Sequence, residues 1–207
     1  TNIFREEVSK SESDLLESFT KIISSKKGLV LITTFASNVG RVKTIMKAAK
    51  KSGRKVVLVG RSLFKIATVA KEVGLLPKDY EFISDEDIKR YPKKELVVIS
   101  TGCQGEDNAG LDKIANGAHK NVKLSSEDTV IFSSKIIPGN ERSVLTMYNL
   151  LAKNDVEVIT EANGFVHVSG HYCRKDLEEF YNLVRPKIAV AVHGEELHLA
   201  EHKRFAE

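Results

Sequence analysis

An α/β fold, with a mainly parallel sheet and helices on both faces, is predicted by three features of this 207-residue sequence. Short runs of β-branched and aliphatic residues alternate with longer segments of helical period. The runs are apolar throughout rather than at every second residue, as in strands buried on both sides. The connections between them are short, as in βαβ units.

The elements follow in order. Ser11-Glu12-Ser13-Asp14 precedes Leu15, Leu16, Phe19, Ile22 and Ile23, an N-cap group leading into apolar positions at helical spacing. Residues 28–35 form a strand around Leu29-Val30-Leu31-Ile32, and 38–51 a helix with Val39, Val42, Ile45, Met46 and Ala49 on one face. A second strand at 55–59 leads to a helix at 62–73. The stretch 75–94, with Pro77, Pro92 and many charges, reads as a surface excursion. A third strand at 95–100, a short helix at 111–115, a fourth strand at 129–133 and a helix at 141–153 come next. Residues 156–160 are a fifth strand, 165–168 a short sixth, 174–184 a helix and 188–192 a last strand, with a last helix from Glu195. Neither internal repeats nor low-complexity segments occur.

Apolar content of 42% and charged content of 29% suit a globular core. No apolar run nears the roughly 20 residues that span a bilayer, so no membrane partner is expected. Residues 1–20 are charged and helical in pattern, unlike a secretory leader, and a first residue other than Met suggests a piece of something longer. Cys103 and Cys173, without Cys-x-x-Cys spacing, argue against a disulfide framework or a thiolate zinc site and fit a reducing cytoplasm. Thirty-two Lys and Arg against 28 Asp and Glu leave +4, compatible with a polyanion partner without being diagnostic of one. The basic cluster from Lys43 to Lys55 reads as a solvated helix face.

Four polar motifs carry the functional expectation, and all but the last come directly after a strand. In an open parallel sheet the strand carboxyl ends share one edge, where ligands bind and where helix N-termini offer N–H groups to an anion. After the first strand, Ser37 or Asn38 caps the next helix; the same groups could meet a ligand, with Arg41 one turn on, and the local sequence does not choose between these uses. Residues 101–106 place two glycines around Cys103-Gln104, but match neither a Walker-A loop nor a Gly-x-Gly-x-x-Gly fingerprint. Cys103 there reads as a small packed residue. After the fourth strand, Ser133 and Ser134 stand beside the turn Pro138-Gly139-Asn140, with Asn140 as an N-cap. This is either a phosphate cradle or an ordinary strand–turn–helix connection. His167, Ser169 and His171 would share one face if the chain stays extended, with Gly170 leaving backbone room, a set suited to phosphate or nucleotide. His193 ends the last predicted strand, where a metal ligand commonly sits, whereas His198 and His202 read as a solvated helix face. One histidine does not make a metal centre.

Assembled, these residues resemble the bacterial ribonuclease J family, of the β-CASP branch of the metallo-β-lactamase superfamily. The likeness rests on Thr-Thr-Phe-Ala-Ser-Asn (33–38), Val-Gly-Arg-Ser (59–62), Thr-Gly-Cys-Gln-Gly-Glu (101–106), Ile-Pro-Gly-Asn-Glu (137–141), Val-Ser-Gly-His (168–171), Val-Arg-Pro-Lys (184–187) and Val-His-Gly-Glu (192–195), in order and at about the family's spacing. It implies a Rossmann-like β-CASP domain over residues 3–172, and over 173–207 a strand–helix return into a metallo-β-lactamase domain whose remainder is absent. It further implies a cytoplasmic, zinc-dependent ribonuclease, with two zinc ions per full-length site, acting as a 5′→3′ exonuclease that senses a 5′-monophosphate and also cuts internally. His171 matches a motif histidine beside the scissile phosphate and would be catalytic; His193 matches a zinc ligand. Ser37, Asn38 and Val39, with His167, Val168, Ser169, Gly170 and His171, match positions that grip the terminal nucleotide and its 5′-phosphate. Ser134 and Asn140 would complete the pocket. Thr1-Asn2 resemble the tail of an Asp-Ser-Thr-Asn motif whose acidic residue would precede residue 1.

The partners implied are 5′-monophosphorylated RNA and the rest of the lactamase domain; a homo-oligomer is left open, since the sequence does not reveal the oligomeric state. Cys103 departs from a usual serine and Ala191 from a common proline. With most zinc ligands missing, the chain alone is expected to be inactive as a nuclease. Two rivals stand beside this reading. One is a Rossmann-like binder of a free nucleotide, which lacks the glycine fingerprint and acidic ribose ligand; the other is a non-catalytic RNA-binding module.

Overall fold

In the computed structural model, which describes residues 2–207, five parallel strands form one sheet in the order β2-β3-β1-β4-β5. They are β1 (Val30–Thr33), β2 (Lys55–Val59), β3 (Leu96–Ser100), β4 (Thr129–Phe132) and β5 (Glu157–Ile159). Seven α-helices accompany them: α1 (Leu15–Ser25), α2 (Val39–Lys51), α3 (Arg61–Glu72), α4 (Gly110–Ala115), α5 (Glu141–Lys153), α6 (Arg174–Val184) and α7 (Glu196–Ala206). The α/β expectation holds. The stretch 75–94 contains one of the two short 3₁₀ turns of the connection to β3.

β1 lies at the centre, with Val30 beside Val97 of β3 on one side and Thr129 of β4 on the other. Strand side chains alternate between faces. Leu31, Val57, Val59, Val98, Val130 and Phe132 join one core with Leu111 and Ile114 of α4 and Val144, Met147 and Leu151 of α5. The other buried strand residues, such as Ile32, Leu58 and Ile99, belong to the opposite face; α1 buries Leu15, Phe19 and Ile23, α2 buries Val42, Ile45 and Met46, and α3 buries Leu63, Ala67 and Ala70. Arg54 and Asp128, both buried, tie the amino ends of the strands: Arg54 donates to the carbonyls of Gly28 and Leu96, and Asp128 accepts the Leu29 amide at 2.8 Å.

The strand order decides where a ligand can enter. From β1 the chain crosses to β2 on one side, whereas from β4 it goes to β5 on the other. Adjacent strands whose connections leave in opposite directions form a topological switch point, and the crevice outside their carboxyl ends is the ligand position of this architecture. Here it lies between β1 and β4, flanked by residues 34–38 and 133–140.

The chain divides into two compact units, one spanning Glu12–His167 and the other comprising the described residues up to Ser11 with Val168–Glu207. In the latter, Asn2 bridges Cys173, Arg174 donates its amide to the Arg5 carbonyl at 2.8 Å, and the Asp176 carboxylate accepts the amides of Ser9 and Cys173. α6 meets α7 through Arg174–Glu201 at 2.7 Å and Tyr181–His202 at 2.8 Å. Among the described residues, no helix is long and apolar enough to cross a membrane.

Four local expectations are corrected. Residues 165–168 form no strand: Val166 is buried, but its carbonyl accepts the Ser133 hydroxyl at 2.7 Å instead of joining a ladder. Residues 188–192 form no strand either; Ile188, Val190 and Val192 are 81%, 75% and 87% exposed, because no described strand lies beside them to pair. Asn140 occupies the N-cap position of α5 without a capping bond, its amide donating instead to Gln104. His198 and His202 are half-buried rather than solvated, His198 tilted against Phe4 and His202 bonded to Tyr181.

Candidate functional site

Within the unit Glu12–His167, the switch point is built around Arg41. Asn38 caps α2 by accepting the Arg41 amide at 2.9 Å. The spacing 38, 41, 42, 45 then turns the Arg41 side chain toward the sheet edge, on the same stripe as Val42 and Ile45. Its guanidinium is fully buried and fully used. Nε and Nη2 bond both carboxylate oxygens of Glu12 at 2.7 Å, while Nη1 donates to the Ser133 carbonyl at 2.8 Å and hydroxyl at 2.6 Å. Nη1 also approaches His167 Nδ1 at 3.4 Å. A planar five-donor group is suited to this fork on a carboxylate and a strand end together. One side chain thereby fixes the approach to α1, the end of β4 and the 166–167 segment.

Gln104 does the equivalent for the next loop. Buried in the loop after β3, its amide donates to the Lys135 carbonyl at 2.9 Å and the Ser134 hydroxyl at 3.3 Å, and its oxygen accepts the Ile137 amide at 2.8 Å. Gly105 follows at φ +73°, where an added Cβ would lie 2.6 Å from the Ser143 backbone, so the loop presses against α5 as only glycine allows. Cys103 is buried beside it, and burial pushes its thiol pKa up, in keeping with a packed residue rather than a nucleophile.

The expected pocket residues of this unit separate by exposure. Ser37 is exposed, and Asn38, Val39 and Asn140 are half-buried along the crevice, whereas Ser134 is buried with its hydroxyl engaged by Gln104 and the Cys103 carbonyl. His167 is held neutral: burial first, then the Arg41 cation, lowers its pKa from 6.5 to about 4, only partly opposed by Glu12. At neutral pH it can offer a hydrogen bond but no charge.

In the other unit, Ser169 Oγ accepts the His171 amide at 3.1 Å, so the chain bends at Gly170 instead of continuing extended. The shared strand face expected for 167, 169 and 171 is therefore not formed. The His171 carbonyl accepts the Asn2 side chain at 2.8 Å. Its exposed ring stacks on that of His193, with centroids 4.9 Å apart and planes 9° from parallel. These two residues, 22 apart in sequence, are thus neighbours in space. They do not make a zinc centre: a catalytic zinc takes about three protein ligands, and among the described residues no group of three His, Cys, Asp or Glu could hold a metal ion.

Sequence reasoning missed Arg41, Glu12 and Gln104 as organisers. The signal for Arg41 was present in its place on the apolar stripe of α2; for Glu12 and Gln104 there was none, since their partners lie across the sheet edge.

Comparison with known proteins agrees with this architecture. A family model described as "Ribonuclease J, beta-CASP domain" matches residues 27–151, and "Zn-dependent metallo-hydrolase RNA specificity domain" matches residues 155–207. The chain is 44% identical to Ribonuclease J of Sinorhizobium meliloti, over 98% of this chain and 36% of that protein. It is 39% identical to Ribonuclease J of Mycolicibacterium smegmatis over 100% and 37%, and 36% identical to Ribonuclease J2 of Bacillus subtilis over 95% and 36%. The chain thus spans little more than a third of the length of these curated relatives. With its parallel sheet, its switch-point loops and a matched family model over more than half its length, the chain belongs to the ribonuclease J family as a β-CASP domain with its adjoining RNA-specificity segment.

Proposed function

We propose that this chain is the RNA-gripping part of a zinc-dependent ribonuclease that hydrolyses RNA phosphodiester bonds, degrading 5′→3′ from a monophosphorylated end and also cutting internally. Residues 3–172 serve as the β-CASP domain, and 173–207 as the return into a metallo-β-lactamase domain that supplies the remaining zinc ligands. Ser37, Asn38 and Val39 face the incoming terminal nucleotide across the switch point from Asn140, with Ser134 holding the opposite loop in place. The segment 167–171 contributes the rest of the grip on the 5′-phosphate. His171 moves a proton at the leaving 3′-oxygen, a role an imidazole can fill as general acid, and His193 is one zinc ligand. The parent protein works in the cytoplasm, alone or as an assembly of identical copies.

The observation that carries this reading is the stacking of His171 on His193. A group acting at the scissile phosphate and a group ligating the metal must both come close to one reacting centre, a requirement that the 4.9 Å separation of these two rings is compatible with. Family membership supports the substrate class. The test compares residues 1–207 with the protein extended to include the rest of the lactamase domain. Hydrolysis of a radiolabelled RNA by the extended protein, its loss by about 10²–10⁴-fold in His171→Ala, and no hydrolysis by residues 1–207 are expected. Metal-dependent RNA hydrolysis by residues 1–207 alone would overturn the assignment.

A further inference from the structure

A second cleft opens on the same sheet edge, on the far side of β1 from the switch point, at the carboxyl ends of β2 and β3. Its volume is about 740 Å³, within the roughly 300–1,000 Å³ of small-ligand sites. We infer that it is a nucleotide pocket, taking a nucleoside 5′-monophosphate unit with its phosphate on Arg61 and Lys113 and its base on Phe64.

Backbone forms the floor because side chains are excluded. A Cβ on Gly60 would come within 2.8 Å of Thr101 Oγ1, and one on Gly110 within 2.5 Å of Ser100 Oγ and 2.9 Å of the Val59 carbonyl. Two cations line the cleft whose side chains have no hydrogen-bond or ion-pair partner among the described residues, Arg61 at the start of α3 and Lys113 in α4. Phe64, one turn into α3, is 42% exposed against the same space. An unpaired guanidinium near an exposed ring is a phosphate contact beside a stacking platform. The acidic groups narrow the ligand class further. Asp107 is exposed at the rim, and Asp85, whose Oδ2 accepts from Asn121 and lies 3.7 Å from His119 Nε2, has no hydrogen bond at Oδ1 among the described residues. They repel a bare anion but accept the hydroxyls of a ribose or the amino group of a base, as an acidic residue does in nucleotide folds. His119 contributes no charge: its Nδ1 accepts the amides of Asn121 and Val122, and burial lowers its pKa. This pocket goes beyond the proposed function and stands without it, since its residues are separate from the switch point.

The experiment is a titration of the 207-residue chain with adenosine 5′-monophosphate, inorganic phosphate and a 5′-hydroxyl oligoribonucleotide, followed by backbone amide NMR. The monophosphate should shift the amides of residues 60–64 and 109–113 saturably and bind at least about tenfold more tightly than phosphate, the scale of one hydrogen bond to a charged group. Arg61→Ala and Phe64→Ala, both at exposed positions, should each weaken it about tenfold while the rest of the spectrum is unchanged. Displacement of the monophosphate by the oligoribonucleotide assigns the pocket to an RNA chain, and failure to displace it assigns the pocket to a free nucleotide. No shift at 60–64 and 109–113 with the monophosphate or the RNA at millimolar concentration, phosphate binding as tightly as the nucleotide, or unaltered affinity in both variants would overturn the inference. Shifts confined to residues 37–39 and 134–140 would do the same while leaving the switch-point reading intact.

Discussion

Leu96–Ser100 and residues 188–192 each hold two valines and an isoleucine and have opposite fates. Val97, Val98 and Ile99 are completely buried in β3, with β1 and β2 on either side, whereas Ile188, Val190 and Val192 are mostly exposed and unpaired. Apolar, β-branched sequence fits a pleated, covered surface and does not create one. The first run has neighbours within the chain that bring helices over both faces; the second has none among the described residues.

That contrast can be broken directly. Ile99→Ala should cost about 3–4 kcal/mol, since it removes buried methylenes and leaves a cavity in a packed sheet, read as a lower urea midpoint. The matching Ile188→Ala should change the midpoint by no more than about 0.5 kcal/mol. Equal losses would mean that the two runs are equally packed in solution. Arg41→Ala comes next, at about 3 kcal/mol, because it strands the Glu12 carboxylate and the Ser133 groups that the guanidinium now satisfies. Part of the Glu12 charge reaches water, which keeps the cost at the lower end of the range.

The pH dependence separates buried from exposed polar groups in the same way. His167 titrates at about 4 in the folded chain against 6.5 otherwise. As pH falls from about 6.5 toward 4, the unfolded chain takes up a proton that the folded chain refuses, so stability declines across that window and this contribution levels off below it. His167→Gln should remove this part of the slope, measured as unfolding free energy at pH 7.0, 5.5 and 4.5. An unchanged slope would show that the ring is solvated. Asn38→Ala, which loses one cap on α2, sits lowest at about 1 kcal/mol.

Much of the fold was legible because each element announces itself locally. Five strands and seven helices lie close to where their periods and caps place them, from the Phe19 and Ile23 stripe of α1 to the Val144, Met147 and Leu151 stripe of α5. Residues 165–168 and 188–192 were misread for one physical reason: a strand needs a partner, and pairing is not written in the run itself. The candidate site was legible as a set of motifs but not as a geometry. The strand order that makes β1 and β4 the switch point is non-local, and a charged residue such as Arg41 reads as surface until the Glu12 carboxylate and the β4 carbonyl are seen around it. The ring stacking of His171 and His193 likewise joins residues that sequence alone could only nominate separately.

Affinity for an RNA end is the most direct test of the switch-point crevice as a phosphate-reading site. Binding of the 207-residue chain to a short oligoribonucleotide should be compared with a 5′-monophosphate and with a 5′-hydroxyl on the same sequence, at one salt concentration. The monophosphate form should bind at least about tenfold more tightly, the scale of a charge-assisted contact, and Asn38→Ala should erase most of that difference. Equal affinity for the two ends would contradict it.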